Sequence, residues 1–284
     1  MYYPKIIFAA LAVTTAIAHP GPDHPVPHAE IQRRNELAKK CASQAANFNQ
    51  RRISKRALQK RWEGSGRNVT YEITTGAPHY ETIQNDTCVL SPEVTRGPYV
   101  WPRSQTLRQD MSEDQPGVPL WLDVGVLDMA TCEPLPNVLL DFWHCNATGS
   151  YSSFTHLSPN IEFRELLAEK NLTDYAIGVT DLHTDDTTFL RGMWPTDENG
   201  VMEIKTIFPA VSQQIMGLEP YVFHTEIDRI TNAQDAIYQN GTKGGFNPVV
   251  SIVPADGKDI SKGMIGYITM GVDTAAIETF EYDH

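Results

Sequence analysis

The densest chemical constellation in this chain runs Asp141-Phe142-Trp143-His144-Cys145-Asn146-Ala147-Thr148-Gly149-Ser150-Tyr151-Ser152. A carboxylate, an imidazole, a thiol and a phenol fall there within twelve positions. Elsewhere the signals are sparser. His19, His24 and His28 stand among prolines near the start, and their ring nitrogens could hold copper or zinc. The plainer alternative is a flexible leader with scattered histidines. Cys132 and Cys145 lie thirteen positions apart, without the Cys-x-x-Cys spacing of a zinc site, so disulfide formation is the expected duty. The chain has no Gly-rich phosphate loop, no Gly-x-Ser-x-Gly elbow and no His-Glu-x-x-His helix.

Short apolar runs bounded by Pro, Gly, Asn and Asp must position these groups. Strands are predicted at 119–128, where side chains alternate, at 137–143 after a Cys-x-Pro-Leu-Pro turn, and at 200–208 after Asp-Glu-Asn-Gly. Further strands are predicted at 220–227, 248–253 and 263–272, and one helical insertion at 161–170. Residues 68–284 are enough for one β domain with a proper interior. The fold expected is all-β, a two-sheet β-sandwich with a helical basic N-terminal segment.

The front of the chain reads differently. Lys5, the apolar stretch 6–16 and Ala16-Ile17-Ala18 form a secretory signal over residues 1–18, too short to span a bilayer. Residues 19–67 comprise the Pro/His leader and a segment of helix-forming residues, 29–62, carrying Arg33-Arg34, Lys39-Lys40, Arg51-Arg52, Lys55-Arg56 and Lys60-Arg61. Those pairs read either as processing sites of a pro-segment or as a solvated basic helix. From 68 onward eleven Lys and Arg face thirty-one Asp and Glu, a formal net of −20, which repels nucleic acid and anionic membrane. The basic segment either covers an acidic face of this body or is cut from it. Four cysteines, Cys41, Cys88, Cys132 and Cys145, suit an oxidising compartment and allow three pairings. Asn68, Asn85, Asn146, Asn171 and Asn240 begin glycosylation sequons. A secreted, extracellular protein without a membrane span is expected.

The constellation around Tyr151 does not stand alone. With Arg96-Gly-Pro-Tyr99-Val, Gly117-Val-Pro-Leu, Cys132-Glu-Pro-Leu, Phe189-Leu-Arg-Gly, Thr196-Asp-x-x-Gly, Thr206-Ile-Phe-Pro209 and Ile268-Thr-Met-Gly-Val-Asp273, it resembles the intradiol ring-cleavage dioxygenases, nearest their secreted fungal branch. The ordered motifs run from the leader to the C-terminal strand. The resemblance implies a β-sandwich holding a non-haem ferric ion by two tyrosines and two histidines. That ion activates a small aromatic diol, of the catechol or hydroxyquinol type, toward oxygen. Tyrosinates are hard anionic donors suited to Fe(III), and an open position admits the substrate.

Carried over position by position, the first tyrosine is Tyr151. The relatives continue Pro-Gly-His-Tyr-x-Gly-Arg-x-x-His-x-His, where this chain reads from Pro209 to Pro220 without those groups. In that register the second tyrosine is Ser212, the substrate-side arginine is Ile215, and the paired histidines are Leu218 and Pro220. His224 falls on a later, non-ligand histidine, as does His144 on its own. Asp141, Trp143 and Gly149 are expected to shape the turn and core. With three of four ligand positions lost, the resemblance implies a family member with impaired catalysis and no iron, kept as a binding surface. The alternative is an active aromatic-ring dioxygenase in which Tyr151, Tyr221 and His224 hold Fe(III) in a non-standard site. Tyr221 and His224 stand three apart, so a strand would need a bulge to turn both inward. His156 and His183 could also contribute, though each reads more simply as a surface histidine.

Overall fold

A computed structural model describes residues 27–63, 97–101, 106–175, 180–209, 215, 217–222, 233–234, 239 and 249–274. The signal segment, His19, His24, Cys88, Ser212, His224 and the sequons at Asn68, Asn85 and Asn240 lie outside them. Among the described residues, two α-helices and six strands order as α1 (His28–Glu63), β1 (Pro119–Asp128), β2 (Leu139–Trp143), α2 (Phe163–Glu169), β3 (Arg191–Pro195), β4 (Val201–Ile207), β5 (Ser251–Pro254) and β6 (Met264–Val272). They build two sheets. In the larger, of order β4-β1-β6-β5, β1 pairs antiparallel with β4 and parallel with β6. The smaller joins β2 and β3 antiparallel, with Leu140 opposite Trp194.

Alternation along β1 explains the layering. Leu120, Leu122, Val124 and Val126 enter one buried cluster with Met202 and Ile204 of β4 and Leu140 of β2, so the two sheets share a core. The opposite face of β1 meets α1. Phe48 and Ala45 of the helix pack with Leu127 and Met129. A Cβ at Gly125 would overlap the Phe48 ring and the Arg52 guanidinium, and its absence permits this close approach.

Three further ties fix α1 to the body. Cys41 and Cys132 form a disulfide, while Cys145, expected to serve in one, is a thiol. Arg33 Nη1 bonds Asp273 Oδ2 at 2.6 Å, and Lys40 Nζ donates to the Ala130 carbonyl at 2.8 Å. At the centre Arg52 is nearly fully buried against Asp123, and it also donates to the Asp123 carbonyl, Asn49 Oδ1 and Thr269 Oγ1. The basic helix therefore covers one face of the larger sheet, with Arg52 turned inward while its neighbour Arg51 faces solvent. No helix among the described residues is long and apolar enough to cross a membrane.

One expected strand is corrected. Over the described part of 220–227, residues 220–222 form a turn, closed by Tyr221 N–H to Leu218 O at 2.7 Å. Pro220 brings no N–H to a ladder, and the Tyr221 side chain plunges into the core instead of alternating. Strand β3 was not anticipated.

Candidate functional site

The loop from β2 to Tyr151 is shaped by Asn146. Its Oδ1 accepts from Thr148 N–H at 2.9 Å, Thr148 Oγ1 at 2.6 Å and Ser150 N–H at 3.0 Å. Gly149 closes the turn with φ +85°, a conformation that costs glycine little. Tyr151 then has its N–H bonded to Ser158 Oγ at 2.7 Å.

The Tyr151 ring enters an aromatic nest. Tyr99 stacks on it at 4.7 Å between centroids and 24° between planes, and Trp143 meets it edge-on at 5.7 Å and 73°. Burial, chiefly, raises the Tyr151 hydroxyl well above the ordinary phenol range. The adjacent Cys145 thiol, which hydrogen-bonds to it, and Tyr99 add to the rise, while Arg191 opposes it.

Arg191, at the start of β3, is the group that sequence reasoning left inside a motif without a role. It is buried, and it donates to Ser152 Oγ at 3.0 Å, Ser152 O at 2.8 Å and Tyr99 O at 2.9 Å. Its guanidinium carbon lies 5.5 Å from the centre of the Trp143 ring. Burial brings its pKa down to about 10, with Asp141, Tyr151 and Asp185 opposing. Arg191 thus ties together the backbones that carry Tyr99 and Ser152. The available signal was an arginine directly after the apolar pair Phe189-Leu190, since an arginine beside core residues is buried only with partners.

The other candidates are placed as follows. Tyr221 is buried; its hydroxyl accepts from Val118 N–H at 2.8 Å and donates to Phe208 O at 2.8 Å. It belongs to the core cluster shared by the sheets, whereas Tyr151 packs in a separate cluster with Phe154, Phe163 and Trp101. Both hydroxyl functions of Tyr221 thus hold backbone, a structural task that the proposed ligand role did not anticipate. Ile215 is fully buried, and Leu218 packs against the same core. His183 stacks on Trp101 at 3.9 Å and 13° and pairs with Asp181, while His156 is exposed. His144 is held by Cys145 O through Nδ1 and by Thr206 Oγ1 through Nε2, both at 2.7 Å. The carbonyl can only accept, so Nδ1 carries the proton and Nε2 accepts. Burial lowers its pKa, in keeping with a neutral, structural imidazole. Among the described residues no group of three or more His, Cys, Asp and Glu side chains is arranged to hold a metal ion.

This arrangement makes a direct expectation for Tyr221→Phe. Losing the hydroxyl strands a buried N–H and leaves a half-buried carbonyl without this donor, which costs about 1–3 kcal/mol. Urea unfolding should register that loss, with bound metal per chain equal to the parent's; a fall in bound metal would instead make Tyr221 a ligand.

A protein-family model described as Dioxygenase matches residues 95–181, a stretch that includes Tyr99, Trp143 and Tyr151. A search of curated proteins found no match. Among solved structures, the intradiol ring-cleavage dioxygenase from Tetranychus urticae is 22% identical, with a TM-score of 0.52 over 67% of this chain and 98% of that one. A second solved dioxygenase shows the same identity and coverage at a TM-score of 0.50. At this identity the likeness is one of fold: the body of this chain is built like an intradiol dioxygenase.

Proposed function

We propose that this chain is a secreted protein of the intradiol dioxygenase family, of its extracellular fungal branch, that has lost ferric-iron chemistry and keeps the fold as a binding surface for aromatic partners. One observation carries the reading. Where the family resemblance puts two iron-binding histidines, this chain has Leu218 and Pro220, whose side chains offer no donor atom. Leu218 is, moreover, committed to the hydrophobic core. The remaining donors do not make good that loss. Tyr151 is packed in the aromatic nest, and the Tyr221 hydroxyl is engaged at both ends with backbone. A ferric ion needs hard anionic donors and imidazoles in one shell, so it does not fit this donor set, and no ring-opening step is derived through it.

Export is supported by the signal-like first 18 residues, the even cysteine count and the Cys41–Cys132 disulfide. Binding is supported by the aromatic nest of Tyr99, Trp143 and Tyr151, braced by Arg191.

Iron content and oxygen uptake test the proposal together. The purified full chain, supplied with iron and then desalted, should be colourless, hold far less than one iron per chain, and consume no oxygen with catechol or hydroxyquinol. A burgundy protein with one iron per chain and oxygen uptake would overturn it, in favour of a site built on Tyr151, Tyr221 and His224.

A further inference from the structure

We propose that Asn171 is a glycosylated asparagine of the mature protein and that the Asn146 sequon stays unmodified. The inference rests on the export half of the proposed function and is independent of iron.

The two sequons read alike in sequence, Asn146-Ala147-Thr148 and Asn171-Leu172-Thr173, but the fold treats them oppositely. Asn146 is occupied at both ends of its amide. Its Oδ1 accepts the three bonds that close the turn before Tyr151, and its Nδ2 donates to Gln115 Oε1 at 3.0 Å. Ala147, between the two sequon residues, is only 1% exposed. Thr148 spends its hydroxyl on Asn146 itself. A sugar on this Nδ2 would have to leave through a packed turn and would displace Gln115.

Asn171 is the opposite case. It follows the C-cap of α2, Lys170, with φ +52°, a left-handed stop that asparagine tolerates. Its backbone N–H already bonds Ala168 O at 3.1 Å, and the next N–H reaches Leu167 O at 2.9 Å. The backbone alone therefore terminates the helix. The Asn171 and Thr173 side chains both face solvent, and only Leu172 turns inward, onto the cluster around Phe163. A glycan on Asn171 Nδ2 costs the fold no contact.

The chemistry is amide glycosylation from a polyprenyl-diphosphate oligosaccharide, the donor of the secretory route. The Asn171 carboxamide nitrogen bonds to C1 of the first sugar. The C1–O bond to the diphosphate breaks, the lipid diphosphate leaves with the bonding electrons, and the nitrogen gives up one proton. No oxidant or reductant is needed.

The full chain should be expressed through the secretory route of a eukaryotic host, and both medium and cell fractions treated with a peptide glycosidase in 18O water. Peptide mass mapping should find 18O-labelled deamidation at Asn171 and none at Asn146. Thr173→Ala should abolish the Asn171 label while leaving the melting temperature of the deglycosylated protein unchanged. Asn146→Asp keeps the acceptor for Thr148 and Ser150, so it should leave the glycan mass unchanged. Exported chain without a label at Asn171, or with Asn146 labelled, would overturn this inference alone. Chain that remains in the cell unlabelled would overturn both it and the export reading.

Discussion

Replacing Arg52 by Met should lower the unfolding free energy by about 3–5 kcal/mol, the range for a buried ion pair stripped of one partner. Arg52 and Asp123 have side chains only 4% and 2% exposed, so solvent screens little of the loss. The deletion would strand more than Asp123. Asn49 Oδ1 and Thr269 Oγ1 also take hydrogen bonds from the guanidinium, although Thr269 retains its own bond to Asn49 at 2.6 Å. The cost comes chiefly from a carboxylate left buried and uncompensated. Replacing Asp123 by Val at the same time should therefore restore much of the stability. A double-mutant cycle read by urea unfolding measures that coupling. If Arg52→Met costs under 1 kcal/mol, α1 does not seal this face in solution.

The second large effect is expected from the Cys41–Cys132 disulfide. Its partners are 91 residues apart in sequence, and closing a loop of that size in the unfolded chain is worth about 4–5 kcal/mol on the chain-entropy account. Changing both cysteines to Ser should reduce stability on that scale, toward the low end if the unfolded chain keeps structure. Urea unfolding of the parent with and without reductant should give the same difference. An unchanged midpoint on reduction would show that the disulfide constrains nothing the packing of Phe48 and Arg52 does not already hold.

Much of the framework was legible because it obeys simple periodicities. Strand β1 begins and ends where the alternating run from Pro119 to Asp128 does, and β6 differs from expectation by a single residue at its start. Helix α1 was expected from composition, yet how it docks was not. Cys41, Ala45 and Phe48, flanked by Ile31 and Leu37, make the apolar stripe, and the decisive contact is made by an arginine. Within Arg51-Arg52 the two side chains have opposite fates: Arg52 continues the face of Cys41, Ala45 and Phe48, and Arg51 lies a quarter-turn away in solvent. Strand β3 escaped because Arg-Gly-Met-Trp-Pro contains a glycine and a proline and no clean alternation; its partner β2 determines it.

Of the site, the motif that carries Trp143 and Tyr151 was legible in sequence, but the Tyr99 stack and the Arg191 brace depend on loops that only tertiary contacts align. The strand expected from Pro220 failed because Pro-Tyr-Val-Phe reads as extended, while the chain turns over 220–222 and sends the Tyr221 phenol toward Val118.

The parallel pairing of β1 with β6 has a bearing on how the molecule assembles. Nine register partners from Leu120↔Met264 to Asp128↔Val272 join a mid-chain strand to one near the carboxyl end, and α1 reaches Thr269 and Asp273 beside it. A nascent chain emerging from the ribosome cannot complete its larger sheet, nor seat α1 fully, until β6 has been synthesised. So non-local a topology makes for slow folding, with long exposure of half-finished strands.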